Sequence, residues 1–279
     1  MGHEAFAVDA ADPRAPAQAV WDRMSVEERR EVLASLPTEI PRKTLPEGDA
    51  HRIPKARALE ALDEYFRRIG RRVYLGSELP VYYPDEAMFA PDLIAVVDVD
   101  PREREAWVVS DEGRGLDVVI EVLVSGERAK DLRRNVERLA RLGIPEYFIY
   151  EPRKRRLSGH RLPAAGSKTY EPIVPQGGRW RSVLLDLDLV LDGGRLRFFH
   201  GSAPLLDAQE LVSRLSAMVD DAVRRAEDEA SRADDEAKRA EDEAKRADDE
   251  AKRAEDEAKR ADRLAAKLRQ LGLDPDALD

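Results

Sequence analysis

The chain contains no cysteine. That excludes disulfides, thiolate metal sites and cysteine nucleophiles, and it fits a reducing compartment, so a cytoplasmic protein is expected. Long apolar runs are also missing. The longest, around Val118 to Val124, is strand-sized and falls short of the roughly 18–20 residues that a bilayer span needs, so no membrane partner is expected. Histidine is scarce, with four in the chain, and His51, His160 and His200 show no paired spacing. Histidine-based zinc or triad chemistry is therefore not expected. Glycine-rich phosphate loops are absent, and Gly76-Ser77 and Gly201-Ser202 lack the flanks of a nucleophile elbow. Basic charge is in deficit, with 47 Lys and Arg against 57 Asp and Glu for a net charge of −10. No broad basic surface advertises nucleic acid. Chemistry, if present, has to come mainly from carboxylates.

Much of the acid excess is local. Between Arg225 and Asp262 stand 16 acids and 10 bases, and the remaining sequence is an ordinary, mildly acidic globular chain. In that tail a seven-residue unit repeats, from RAEDEAS through RADDEAK to RAEDEAK, with alanines from Ala226 to Ala258 spaced alternately four and three apart. Such spacing defines an a/d seam and a left-handed supercoil if helices pair. Acids sit four residues before bases, as in Asp234 to Lys238 and Glu241 to Lys245, the orientation that supports a helix even without a partner. Two readings stay open: a coiled-coil oligomer joined over 225–262, or a solitary rigid helix, because an alanine seam buries little area. The organisation expected is a disordered Ala/Asp/Pro-rich leader over 1–20, a globular domain over 21–204, a long helix or coiled coil over 205–272 and a tail over 273–279.

Within the globular part, Ser25-Val26-Glu27-Glu28 is a capping-box pattern opening a short helix to about Ser35. Pro37, Pro41 and Pro46 with Gly48 predict a loop. From Pro54 apolar residues at three and four spacing predict an amphipathic helix stopped by Gly70. Strands are predicted at Val73–Leu75, Leu79–Tyr83, Asp92–Val97, Trp107–Val109 and Val118–Val124, a helix over Glu127–Leu142, and another strand at Glu146–Tyr150. Strand, helix and strand at this spacing form a βαβ-like unit. Short segments at Leu157–Leu162, Tyr170–Val174, Trp180–Leu185 and Leu196–Phe199 predict that the sheet continues as hairpins. The fold class is α+β, or α/β-like, with a mixed sheet flanked by helices.

One residue breaks the pattern of the strongest strand. Glu121 is the single charge in an otherwise apolar run, and burying a carboxylate without a partner costs several kcal/mol. Asp92 opens another strand behind Pro91. If the two strands are neighbours, both acids point into one pocket and can share a hard divalent cation such as Mg²⁺, which takes oxygen ligands and activates water against a phosphodiester. The alternative leaves Asp92 capping a turn and Glu121 at a sheet edge. Asp117 lies on the same face as Glu121 but about 13 Å away along the strand, too far for the same ion. Glu78, just before a strand, is ambiguous. Arg153-Lys154-Arg155-Arg156 is the best basic patch, suited either to DNA backbone or to a plain charged turn.

These segments carry a resemblance. Phe89-Ala90-Pro91-Asp92-Leu93-Ile94-Ala95-Val96-Val97, then Leu116-Asp117-Val118-Val119-Ile120-Glu121-Val122-Leu123-Val124, then Leu142-Gly143-Ile144-Pro145-Glu146-Tyr147-Phe148-Ile149-Tyr150 resemble the Uma-two restriction endonuclease family of the PD-(D/E)XK nuclease superfamily, over about residues 45–200. The resemblance implies a restriction-endonuclease-like core, Mg²⁺ or Mn²⁺, and hydrolysis of DNA. It matches Asp92 and Glu121 to the motif acids as catalytic residues and metal ligands, and it allows Glu60 or Glu64 on the preceding helix as a further ligand. The superfamily lysine two residues after the second acid is replaced by Leu123. The position some relatives use instead is Asn135, with Lys130, Arg133 and Arg134 nearby on the same helix; Lys130 is the catalytic cation expected on this basis. The function expected is a metal-dependent endonuclease oligomerised by its tail. The alternative is a catalytically silent nuclease-like domain that binds nucleic acid or protein.

Overall fold

The computed structural model describes residues 6–39, 48–124 and 129–270, with the side chains of residues 129–132 outside that description. The chain divides into two compact units, with the boundary between Leu211 and Val212.

In the first unit the helices are α1 (Gln18–Trp21), α2 (Val26–Ser35), α3 (Asp49–Ile69), α4 (Val109–Glu112) and α5 (Ala129–Leu142). The strands are β1 (Val73–Gly76), β2 (Val81–Tyr82), β3 (Leu93–Val97), β4 (Trp107–Val108), β5 (Val118–Val122), β6 (Glu146–Glu151), β7 (Arg156–Arg161), β8 (Glu171–Pro172), β9 (Arg179–Ser182), β10 (Leu187–Asp192), β11 (Arg195–His200) and β12 (Ala203–Pro204). The fold is α+β. A six-stranded mixed sheet runs in the order β1-β3-β5-β6-β7-β8, and its parallel pair, β5 with β6, is the pair joined through α5. The βαβ-like unit expected from the sequence is therefore present.

Alternation along the strands sorts the sheet's two faces. Leu93, Ala95 and Val97 of β3 and Val118, Ile120 and Val122 of β5 pack on one side with Ala58, Ala61, Leu62, Tyr65 and Phe66 of α3. Ile94, Val96 and Val119 pack on the other side with Leu139 of α5, together with Val81 and Trp107 from the parallel β2–β4 pair. The strand residues that follow β7 do not simply extend this sheet. Among them β8 does so, while β9 to β12 form a separate antiparallel sheet in the order β12-β11-β10-β9. Leu187, Leu189 and Phe198 of that sheet, with Leu185 just before β10, close the α3 side of the core. Glu146 fastens the two sheets: fully buried on β6, it accepts hydrogen bonds from Arg161 on β7, from the Ser182 hydroxyl on β9 and from the Val183 N–H.

Several local expectations hold in detail. Glu28 N–H donates to Ser25 Oγ at 3.2 Å while Ser25 N–H donates to the Glu28 carboxylate at 2.7 Å, completing the capping box. Gly70 ends α3 in the left-handed conformation, φ 70°, that a β-carbon disfavours. Of the loop expected through Pro37 to Gly48, residues 40–47 lie outside the described residues.

Two expectations need correction. Residues 14–20, read as part of a disordered leader, are docked: Ala15 and the adjoining Trp21 are buried with Val32, Leu36, Tyr82 and Val108. Backbone bonds help to hold it, since Asp85 N–H donates to Ala15 O at 3.1 Å and Met88 N–H to the O of Pro13, just before the segment, at 3.0 Å. Composition is blind to such bonds. The second correction concerns α3, which begins at Asp49 rather than Pro54. Proline lacks an N–H and suits the first helical turn, where that donor has no partner in any case. Here Pro54 lies in the second turn, and the extra turn before it carries His51.

The second unit is helical. Helix α6 runs unbroken from Ala208 to Gln270. Its start is fixed within the first unit by a reciprocal cap, Glu210 N–H to Asp207 Oδ1 at 2.9 Å and Asp207 N–H to Glu210 Oε2 at 3.2 Å. Along the repeat, Lys238–Asp234, Lys252–Asp248 and Lys259–Glu255 form i,i+4 ion pairs at 2.6–2.7 Å. No described residue of α6 is buried, and Val212, Leu215, Met218, Val219 and Val223 are half or more exposed. Among the described residues, no helix is long and apolar enough to cross a membrane.

Candidate metal centre

The register of β3 against β5 pairs Leu93 with Ile120, so Asp92, one residue before Leu93, falls opposite Glu121. Both residues follow the alternation of Ile94 and Val119, which places them on the α5 side at one end of the sheet. They meet: Asp92 is hydrogen-bonded to the Glu121 carboxyl. Two ionised carboxyls this close repel each other, so the pair calls for positive charge beside it.

Asp92 is buried and firmly held. Its Oδ2 accepts from Val122 N–H at 2.7 Å and meets His51 Nε2 at 3.1 Å. Its backbone carbonyl accepts from Ser77 Oγ at 2.8 Å. Its Oδ1 lies 3.8 Å from Lys55 Nζ. Burial by itself pushes the Asp92 carboxyl up. The hydrogen bonds from His51, Glu121 and Val122 N–H, with the positive charge of His51, outweigh that and hold it below the ordinary carboxylate value.

Two of the partners come from the start of α3. His51, Lys55, Ala58 and Leu62 are spaced four, three and four apart, so they form one stripe of the helix. The apolar part of that stripe enters the core, and its polar beginning runs past the sheet's edge to the acids. Lys55 is buried to 5% exposure and donates a hydrogen bond to Glu78. Glu78 stands between β1 and β2 with φ 53°, a left-handed backbone that costs a non-glycine residue of the order of 1–3 kcal/mol. Its N–H donates to Pro91 O at 3.0 Å, and its carboxylate faces Lys55. His51, Glu78 and Asp92 each offer one ligand atom within 4.8 Å of the others. The group combines nitrogen and oxygen donors around the buried Asp92 and the partly buried Glu121, a set that fits a divalent cation of the Mn²⁺ or Mg²⁺ kind.

The remaining site expectations fare differently. Glu60 is exposed and lies nine residues along α3 from His51, half a revolution round the helix from the stripe, so the structure does not bring it to the acids. The expected cation Lys130 has a side chain outside the described residues. Arg133 and Arg134 are exposed on α5, with Arg133 3.5 Å from Glu137, and Leu123 packs at the margin of the core. Asp117, as expected, does not join the centre; its Oδ2 accepts from Val97 N–H and from Arg114, each at 2.8 Å. Arg153, Lys154, Arg155 and Arg156 are all exposed and turn the chain from β6 into β7. Because β6 runs parallel to β5, with Ile149 opposite Glu121, that turn lies at the same end of the sheet as the acids. Two of its charges are tied to Glu151, which pairs with Lys154 at 2.8 Å and closely with Arg156.

Sequence reasoning misses Lys55 altogether and sets His51 aside. The signal available is the stripe itself: carried three and seven residues back from Ala58, it reaches Lys55 and then His51. Reading Pro54 as the start of the helix cuts it off before the histidine.

Against known proteins, the chain matches no curated one. Among solved structures it is similar to a putative nuclease belonging to DUF820 from Anabaena variabilis, at 16% identity and a TM-score of 0.37, over 50% of this chain and 77% of that one. Residues 23–192, more than half of the chain, match the Uma2 family, described as putative restriction endonuclease, and the chain belongs to that family.

Proposed function

We propose that this protein is a divalent-cation-dependent endonuclease that hydrolyses DNA phosphodiester bonds at the Asp92–Glu121 centre. The observation that carries the reading is the hydrogen-bonded pair of carboxyls, Asp92 buried and Glu121 partly so, ringed by His51, Glu78 and Lys55. Asp92, Glu121 and Glu78 would hold Mg²⁺ or Mn²⁺ through oxygen, with His51 either joining them or fixing Asp92 through Oδ2. When bound, such a cation polarises a phosphoryl oxygen and lowers the pKa of water.

The chain's own groups supply the rest. Val122 N–H holds Asp92 at one carboxylate oxygen, which leaves the other directed toward the centre. Lys55 takes the part that Leu123 cannot: a buried ammonium beside the acids stabilises negative charge developing on phosphate and orients the attacking water. It reaches the site from α3 instead of from β5 or α5. The Arg153–Arg156 turn, at the same end of the sheet, would contact the DNA backbone, which positions a duplex without reading its sequence. Leu123 favours the rival reading of a domain that binds without cutting, and Lys55 answers it. Supercoiled plasmid incubated with the protein should be nicked or linearised in Mn²⁺ or Mg²⁺ and left intact in a chelator. Plasmid bound but uncut under all conditions would establish the silent reading instead.

The tail would set the oligomeric state. Its alanine seam gives up most of the roughly 1.5–3 kcal/mol that each buried leucine supplies, so pairing would be anchored by Leu211, Leu215, Met218 and Val223 before the repeat and by Leu264 and Leu268 after it. Two sites on paired chains suit cutting of both strands of a duplex. Sedimentation equilibrium of the whole chain is expected to give at least twice the 31.4 kDa chain mass. A monomer throughout would leave the tail a solitary helix.

A further inference from the structure

Beside the acid pair stands a group that the proposed chemistry does not yet use. Tyr147 is 0% exposed on β6, and its hydroxyl is the buried side-chain polar atom that, among the described residues, has no hydrogen-bond partner. Buried tyrosines nearly always find one, because an unpaired hydroxyl forfeits its hydration for nothing in return. The ring has little freedom to turn away. It stacks on His160 at 6.1 Å and on Tyr170 at 6.3 Å between ring centroids, and Tyr170 is itself pinned by a 2.7 Å bond from its hydroxyl to Ile144 O. Burial keeps His160 below its usual pKa, which favours the neutral ring.

The register says what lies within reach. Tyr147 pairs with Val119, and Glu121 pairs with Ile149, so Tyr147 and Glu121 are diagonal neighbours on the same face of adjacent strands. Burial first, and then the charge of Glu121, push the Tyr147 hydroxyl up, so it remains a protonated donor. Here Glu121 is hydrogen-bonded to Asp92, and the Tyr147 hydroxyl is left without a partner. A carboxylate that holds a cation through one oxygen still accepts a hydrogen bond on the other.

Building on the metal-centre reading, we infer that Tyr147 is a positioning residue, whose hydroxyl donates to the Glu121 carboxylate when a divalent cation occupies the site and so fixes that ligand's orientation. A charge-assisted bond of this kind is stronger than a neutral one. The role also accounts for an unpaired hydroxyl kept in the core diagonal to Glu121.

The test is Mn²⁺ titration of the whole chain and of Tyr147→Phe by calorimetry, alongside thermal melting without divalent cation. The variant is expected to bind Mn²⁺ about tenfold more weakly, and to melt at the same temperature as the parent or higher, because it removes a hydroxyl that is unpaired in that state. An ultraviolet difference spectrum of tyrosine on Mn²⁺ addition should appear in the parent and be missing from the variant. Equal Mn²⁺ affinity in the two proteins would overturn the role of Tyr147 while leaving the metal centre intact. A parent that binds no Mn²⁺ would overturn both. A variant that melts well below the parent without cation would show that the hydroxyl is a folding contact and not a held-back donor.

Discussion

Replacing Asp92 by asparagine is expected to lower divalent-dependent plasmid cleavage by about a thousandfold, which corresponds to a loss of roughly 4 kcal/mol of transition-state stabilisation, the scale of a cation's contribution. Asparagine is chosen for its shape. An amide oxygen still accepts from Val122 N–H, the bond that Asp92 Oδ2 makes at 2.7 Å, so the end of β3 keeps its anchor on β5. What is lost is the negative charge facing Lys55 and shared with Glu121. Alanine at the same position would also leave the buried Val122 N–H without a partner, costing about 1–3 kcal/mol of stability and confusing the result. Cleavage by Asp92→Asn within tenfold of the parent would show that the acids are structural.

The second large effect concerns stability. Glu146→Ala is expected to destabilise the first unit by about 3–5 kcal/mol, the cost of removing one partner from a buried ion pair. Glu146 is 1% exposed and receives three donors: the Arg161 guanidinium, the Ser182 hydroxyl and the Val183 N–H. Without it the hydroxyl and the amide are left unpaired, and a guanidinium faces a cavity at the seam between the two sheets. For a domain of this size that corresponds to a fall of roughly 10 °C in the melting temperature. The acid centre lies toward the opposite end of β6, so plasmid cleavage well below the melting point should persist. A melting temperature within a degree or two of the parent would mean that the two sheets do not depend on this junction.

Glu121 and Asp92, set beside their neighbours, show what the sequence reveals and what it hides. Glu121 is legible because a lone carboxylate in the apolar run of β5 has no reason to be there without a partner. Asp92 is legible as the polar residue opening β3, and the antiparallel register turns the pair into neighbours. His51 and Lys55 are hidden by a local rule applied one turn too late: Pro54 reads as a helix start, while packing of the stripe below carries α3 back to Asp49. Glu60 attracts notice as an acid on that helix, but helical phase points it to solvent. Strand β10 goes unread although Leu187, Leu189 and Leu191 recur at every second position, because Asp186, Asp188 and Asp192 make the segment look like a turn. That β9 to β12 form a sheet of their own is a matter of long-range pairing, which no local pattern encodes. The docking of residues 14–20 rests on the burial of Ala15 beside Trp21 and on the bond from Asp85 N–H to Ala15 O, contacts with distant residues that leave no mark on composition.

The account depends on Asp92 and Glu121 closing on one cation. Crystals of the whole chain grown with Mn²⁺, with data collected to maximise manganese anomalous scattering, locate that ion directly. The account predicts a strong peak bonded to both carboxylates and bordered by Glu78 and His51. A peak elsewhere, or none, with the two acids still bonded to each other, would contradict it.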